Sequence, residues 1–304
     1  MKKHSGILVG LLLTFLVVET VSAGGAWLPR PGHGFFYFGF SRKTANSSWD
    51  AFGESFTHMN SAGEEVWHDF RYLYLSGEVG VLSDLSVTFT ATWLYGLEGP
   101  KSDYEKNDGF SDAWFGLKYR LAGNAWPVAI TFNQRDPLLY DLPGPYNRHL
   151  FDPQGEFRGV SPEWRGLLKR DYSVGGAVSR SFLGYRAWTN LEGGYTWREG
   201  APANQIYTMA ELGYPLPVLS SHVKGAATGQ FSVGSDSPRQ PDDRFGSRAS
   251  YNFNDASYAK LALSWIVPFG REKEWMAEAG IGMWVWGRSA RRYTEPFVSI
   301  GRRF

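Results

Sequence analysis

Beyond residue 24 the chain alternates between apolar and polar positions almost throughout. From Asp84 to Leu97, one face carries Leu85, Val87, Phe89, Ala91, Trp93, Tyr95 and Leu97. The other carries Asp84, Ser86, Thr88, Thr90 and Thr92. Period two is the signature of a β-strand, because successive side chains point to opposite faces of the sheet. The length of the stretch matters as much as its period. Strands of soluble domains run to about 5–6 residues, whereas a tilted strand that crosses a bilayer needs about 9–11.

The same pattern recurs. Ala113, Phe115, Leu117, Tyr119 and Leu121 oppose Asp112, Lys118 and Arg120. Val128, Ile130 and Phe132 oppose Thr131, Asn133 and Arg135, and Leu191, Tyr195 and Trp197 oppose Asn190, Glu192 and Arg198. Ile206, Ala210, Leu212 and Tyr214 oppose Glu211, Leu261 and Leu263 oppose Lys260 and Ser264, and Ile281 and Met283 oppose Glu278. Twelve strands follow: 34–42, 66–81, 84–97, 110–121, 126–136, 170–182, 185–198, 204–215, 222–233, 256–268, 275–287 and 292–304. Counts of ten or fourteen also fit, and residues 247–253 either extend the tenth strand through a bulge or add structure of their own.

The connections alternate in length. Residues 43–65, 98–109, 137–169 and 234–255 are long, whereas the turns near Leu82, Ala122, Leu183, Pro215 and Phe269 are short. Residues 199–203 and 288–291 break the alternation mildly. Short periplasmic turns and longer external loops characterise bacterial outer-membrane barrels. The fold class expected is therefore all-β: a transmembrane, antiparallel, up-and-down β-barrel.

Both ends of the chain fit export. Lys2, Lys3 and His4 precede an apolar run from Ile7 to Val18, and Val21, Ser22 and Ala23 follow it. This is the tripartite pattern of a secretory signal peptide, with cleavage expected after Ala23. The run is short for a spanning helix, which needs about 20 apolar residues. The domain organisation expected is a signal peptide at 1–23 and a barrel at 24–304. The last residue, Phe304, ends a strand in which Val298 and Ile300 alternate with Ser299, Gly301 and Arg303. A terminal Phe on an amphipathic strand is the kind of signal the barrel assembly machinery recognises, which makes that machinery an expected partner. Arg302 falls on the Phe304 face, where a long side chain can snorkel from the rim.

Composition sharpens the picture. Aromatics reach 16%, and Trp27, Trp67, Trp126, Trp197, Tyr214, Trp275, Trp286 and Tyr293 fall near strand ends. Aromatic girdles at both interfaces suit a membrane barrel in contact with outer-membrane lipid, whereas a soluble β-sandwich would concentrate them at mid-strand. The formal charge is +1, so no basic excess points to nucleic acid. Cys is absent, which removes zinc fingers, iron–sulfur clusters and disulfide frameworks.

In a barrel of this kind the polar face looks inward. The lumen-lining candidates are Asp112, Lys118, Arg120, Asn133, Arg135, Glu192, Arg198, Glu211, Lys260 and Glu278, with Lys224 and Arg303 beside them. Their mixed signs argue against a single-sign selectivity ring. They suit either pairs that rigidify the lumen or a solute path lined by both signs. Trp114, Trp188, Met209, Trp284 and Trp286 fall on the same face, either as packing that plugs the lumen or as a slide for a hydrophobic solute.

No catalytic, cofactor-binding or metal-ligating residues are assigned. No G-x-S-x-G occurs, the histidines lack ligand-like spacing, and His68 and Asp69 are strand neighbours that face opposite ways. Residues 137–169 carry five prolines and five aromatics, which suits a lid folded into the external mouth.

Two short stretches are similar to known families. Gly25-Ala26-Trp27-Leu28-Pro29-Arg30-Pro31-Gly32-His33-Gly34 resembles the opening of outer-membrane proteins that accompany polysaccharide or adhesin genes. Asp108-Gly109-Phe110-Ser111-Asp112-Ala113-Trp114-Phe115-Gly116-Leu117-Lys118-Tyr119 resembles a G-x-G-D-x-x-x-G-x-K-Y strand, with Ser111 in place of the second Gly. That strand belongs to the transporter barrels of the meta-pathway of phenol degradation. The resemblance covers about a tenth of the chain. It implies an outer-membrane protein of transport type, with hydrophobic or aromatic solutes as one option. A channel or transporter for a small solute is the function expected. A closed accessory barrel serving polysaccharide export or adhesion is the alternative, and an outer-membrane hydrolase a distant third.

Overall fold

A computed structural model describes residues 25–50, 52–59, 62–100, 105–123, 126–136, 170–184, 186–199, 203–234 and 256–304. The expected signal peptide, the proposed lid at 137–169 and the stretch 247–253 lie outside the described residues.

Twelve long strands form the wall: β1 (Gly34–Ala45), β4 (Val66–Leu82), β5 (Leu85–Pro100), β7 (Ala113–Ala122), β8 (Val128–Asp136), β9 (Asp171–Phe182), β10 (Ala187–Arg198), β11 (Asn204–Pro215), β12 (His222–Val233), β13 (Ser257–Phe269), β14 (Trp275–Arg288) and β16 (Thr294–Arg303). Each pairs antiparallel with its neighbours in sequence, and β1 closes the ring against β16. The strand boundaries expected from the alternation agree with these to within a few residues. Closure satisfies the backbone donors and acceptors that a bilayer cannot.

Among the described residues, four short strands decorate the long-loop end. β6 (Glu105–Phe110) continues the path of β7 along β5. Trp93 pairs with Phe110 and Thr90 with Trp114, so three residues face two and the strand bulges at Ser111–Ala113. β2 (Ser47–Trp49), β3 (Ser55–Thr57) and β15 (Ala290–Arg291) make a separate three-stranded sheet. The alternation reads residues 43–65 as a loop, because a three-residue strand is too short to show a period.

Burial follows the pleat, inverted relative to a soluble protein. Leu261, Leu263, Ile281, Met283, Val298 and Ile300 face outward, exposed to lipid. Ser41, Ser179, Asn190, Ser264, Glu278 and Ser299 are buried inside. Aromatics cap the belt: Arg302 lies over Trp275 at 5.2 Å and Arg180 over Trp126 at 4.5 Å. Arg302 does project outward, its guanidinium resting on an indole at the short-turn rim. Tyr293 leaves its expected place in the girdle, and Trp286 keeps the girdle place but not the lumen one. Tyr293 packs inward against Phe70 and Trp284. Trp286 faces outward, because Ala259 pairs with Trp286 and Lys260 with Trp284, which leaves Val285 as an extra residue. That bulge reverses the parity of every side chain after it.

The two mouths differ. The short turns, the start of β1 and the end of β16 share one end, which is the periplasmic end of such barrels. Among the described residues no helix is long and apolar enough to cross a membrane. The protein is a β-barrel of the outer membrane.

Candidate functional site in the lumen

The stretch before β1 does not continue the wall. Gly32 donates to the carbonyl of Gly80 at 2.9 Å, and the Gly80 N–H donates to that of His33 at 3.0 Å. From there the chain crosses the periplasmic mouth. The Lys118 ammonium reaches the carbonyl of Trp27 at 3.4 Å. Ala26 is completely buried against the inward-facing Ala129 and Ala177, and its N–H donates to Ser179 Oγ at 2.7 Å. Gly25 ends against Ser179 and Asn190. These contacts run from β4 to β10, strands five places apart in a ring of twelve, so residues 25–33 span the lumen nearly across its width.

Small residues make this seat. Side chains larger than Ala at 26, 129 or 177 would hold the segment away from the wall. A Cβ on Gly80 would stand 2.4 Å from the carbonyl oxygen of Arg30. At Gly25, with φ +82, a Cβ would meet Ser179 Oγ at 2.1 Å.

A layer of ion pairs surrounds the segment. Lys118 donates to Glu78 at 2.6 Å, and Ser86 donates to the other oxygen of that carboxylate at 2.5 Å. On the far wall Lys224 pairs with Glu278 at 2.7 Å and approaches Glu211 at 3.9 Å. Ser264 donates to Glu278 at 2.6 Å. Trp188 Nε1 and Asn190 both donate to Glu211, at 2.7 and 2.9 Å. Each carboxylate therefore has both a cation and a neutral donor, or two neutral donors and a more distant cation, the arrangement that offsets desolvation.

Above this layer lies a cavity of about 300 Å³. Lys118, Asn133, Glu192, Glu211 and Lys260 line it, together with Phe35, Trp114, Tyr207, Met209, Tyr258 and Phe297. The Tyr207 hydroxyl is hydrogen-bonded to Glu192 and lies 3.4 Å from Thr131 Oγ1. Toward the external side, Arg135 and Arg198 converge on Asp171, and Arg135 stands 3.5 Å from Asp112. Lys260 donates to the fully buried Glu295 at 2.5 Å beside the Trp284 ring.

The structure thus divides the ten sequence candidates into groups. Five line the cavity. Arg135 and Arg198 meet at Asp171 above it, Asp112 stands beside Arg135, and Glu278 belongs to the layer below. Arg120 stands apart near the periplasmic turn, 4.0 Å from Asp84. Sequence reasoning missed Gly25, Ala26 and the Trp27 carbonyl. The signal that could have found them is a Gly- and Pro-rich run with small residues and no strand period, placed directly before β1.

The histidine geometry also exceeds what spacing suggested. His68 Nε2 lies 2.8 Å from His58 Nδ1, and His58 Nε2 lies 2.6 Å from Ser48 Oγ. Ser48 is fully buried. Asp69 points away from His68, as the strand parity requires, and pairs with arginines outside the barrel. Among the described residues no group of three or more His, Asp or Glu side chains could hold a metal ion.

No protein-family model matches the chain. No curated protein matches it either. Among solved structures it is similar to an outer membrane channel from Pseudomonas putida F1, at 13% identity and a TM-score of 0.60, covering 94% of this chain and 100% of that one. The translocator domain of the autotransporter NalP from Neisseria meningitidis aligns at 12% identity and a TM-score of 0.47, over 91% of each chain. A KdgM porin aligns at 7% identity and a TM-score of 0.45, over 88% of this chain and 99% of that one. The first likeness places the chain in the fold of outer-membrane barrels.

Proposed function

We propose that this protein is an outer-membrane channel for a small solute, and that residues 25–33 close its periplasmic mouth in the resting state. The observation that carries this reading is the cavity of about 300 Å³ set directly above a chain segment that is seated by hydrogen bonds and small-residue contacts. A wall that served only as a scaffold has no need of a cavity lined by both aromatics and charges. An apolar cavity of about 150 Å³ accommodates benzene, so this one has room for a substituted ring or a comparable small solute. Phe35, Trp114, Tyr258 and Phe297 offer an apolar surface, and Glu192, Lys118 and Asn133 offer polar contacts. That mixture suits an amphipathic solute such as a hydroxylated or carboxylated aromatic, in keeping with the resemblance of the strand around Ser111 to the phenol-degradation transporters. Residues 1–23 would direct export.

A closed accessory barrel is the second reading, favoured by the ion pairs that brace both layers of the lumen. Flux into proteoliposomes separates the two. The channel reading predicts uptake of small aromatic acids faster than of sugars of equal mass. Absence of uptake of every solute, with the segment present and with it removed, would leave the accessory barrel.

A further inference from the structure

A group of charges on the outside of the wall has no part in the lumen. Arg42 on β1 and Arg71 on β4 are register partners. Both project outward, in phase with Phe40 and Leu73, which are exposed two register pairs nearer the periplasm. Asp69 lies between them. Arg42 donates to it through Nε at 2.9 Å and through Nη2 at 2.8 Å, and Arg71 donates through Nη2 at 2.9 Å. The carboxylate is covered, with 9% of its side chain exposed, whereas the arginines keep 48% and 41%. Arg71 also rests over the Tyr95 ring at 5.4 Å. Two cations thus share one anion, and the shared anion fixes their spacing. The three side chains together have net charge +1, and Asp108 is the next described acid along the register, one strand beyond Tyr95.

Position decides what this pair meets. It sits immediately above the apolar belt of Phe40, Leu73 and Trp93, on the side of the external loops. A guanidinium costs free energy in hydrocarbon and gains at the headgroup level, where an anion can complete it. We propose that Arg42 and Arg71 bind a phosphate of an outer-leaflet glycolipid of the lipid A type. The planar fork of arginine matches phosphate oxygens, and the acyl chains would lie against Phe40, Leu73 and Trp93. Asp69 is a positioning residue: it orients both forks and touches no lipid. Free phosphate shares the headgroup chemistry, but it would gain nothing from the apolar surface below.

Native mass spectrometry of the full chain in detergent tests this. The probes are diphosphorylated lipid A, the same lipid stripped of phosphate, phosphatidylglycerol and inorganic phosphate. The wild type is expected to retain diphosphorylated lipid A, and R42Q/R71Q to bind it roughly tenfold more weakly or worse. Dephosphorylated lipid A should not distinguish the two proteins. Equal binding of diphosphorylated lipid A by both would overturn the proposal. So would equal, arginine-dependent binding of phosphatidylglycerol or of inorganic phosphate. Heat-modifiable gel migration reports folding. If R42Q/R71Q fails to fold, R42K/R71K keeps both charges and loses the planar fork. A several-fold weaker affinity is then expected, and an unchanged one contradicts the proposal.

Discussion

The ammonium of Lys118 lies 2.6 Å from the Glu78 carboxylate and 3.4 Å from the carbonyl oxygen of Trp27. One side chain of β7 thereby ties the wall of the barrel to the segment that crosses its mouth. Glu78 is held in turn by Ser86 on β5. The ion pair is buried, so removing one partner leaves an uncompensated charge. Lys118→Met is expected to cost about 3–5 kcal/mol of stability. Glu78→Gln combined with Lys118→Met should recover much of that loss. Urea unfolding in detergent micelles, followed by tryptophan fluorescence, checks both. Additive losses in the double variant would show that the two side chains do not interact.

Ala26 has no room to grow. It is fully enclosed by Ala129 and Ala177 and donates to Ser179. Ala26→Leu should expel residues 25–33 from the mouth while leaving the wall intact. The expected outcome is faster solute leakage from proteoliposomes with an unchanged far-ultraviolet spectrum. Ala26→Gly, which keeps the seat, should leak no faster than the wild type.

The outward belt predicts a contrast within one strand. Leu263 faces lipid and its neighbour Ala262 faces the cavity. Leu263→Arg is expected to destabilise by about 2–4 kcal/mol if the position lies near the bilayer midplane. Ala262→Ser should stay within about 0.5 kcal/mol. Unfolding from vesicles rather than micelles is the measurement, since only a bilayer imposes the depth dependence.

How much of this was legible in the sequence depended on locality. The twelve strands could be read because each carries its own alternation: Leu261, Leu263 and Trp265 show their phase without reference to any partner. Trp286 misled because a single inserted residue, Val285, shifts the parity of everything after it. The ion partners could not be read at all. Lys118 and Glu78 are 40 residues apart, and Lys260 and Glu295 are 35 apart. Which charges meet across a lumen is set by strand tilt and stagger, which periodicity does not encode. Residues 25–33 were harder still, because a segment held by Gly32, Ala26 and backbone carbonyls has no period to detect.

On the channel reading, those residues close the path. Single-channel recording in a planar lipid bilayer tests this, comparing the barrel that begins at residue 24 with a variant that lacks residues 25–32. Little or no current is expected from the intact barrel, and discrete, reproducible conductance steps from the variant. Identical traces from two correctly inserted proteins would contradict it.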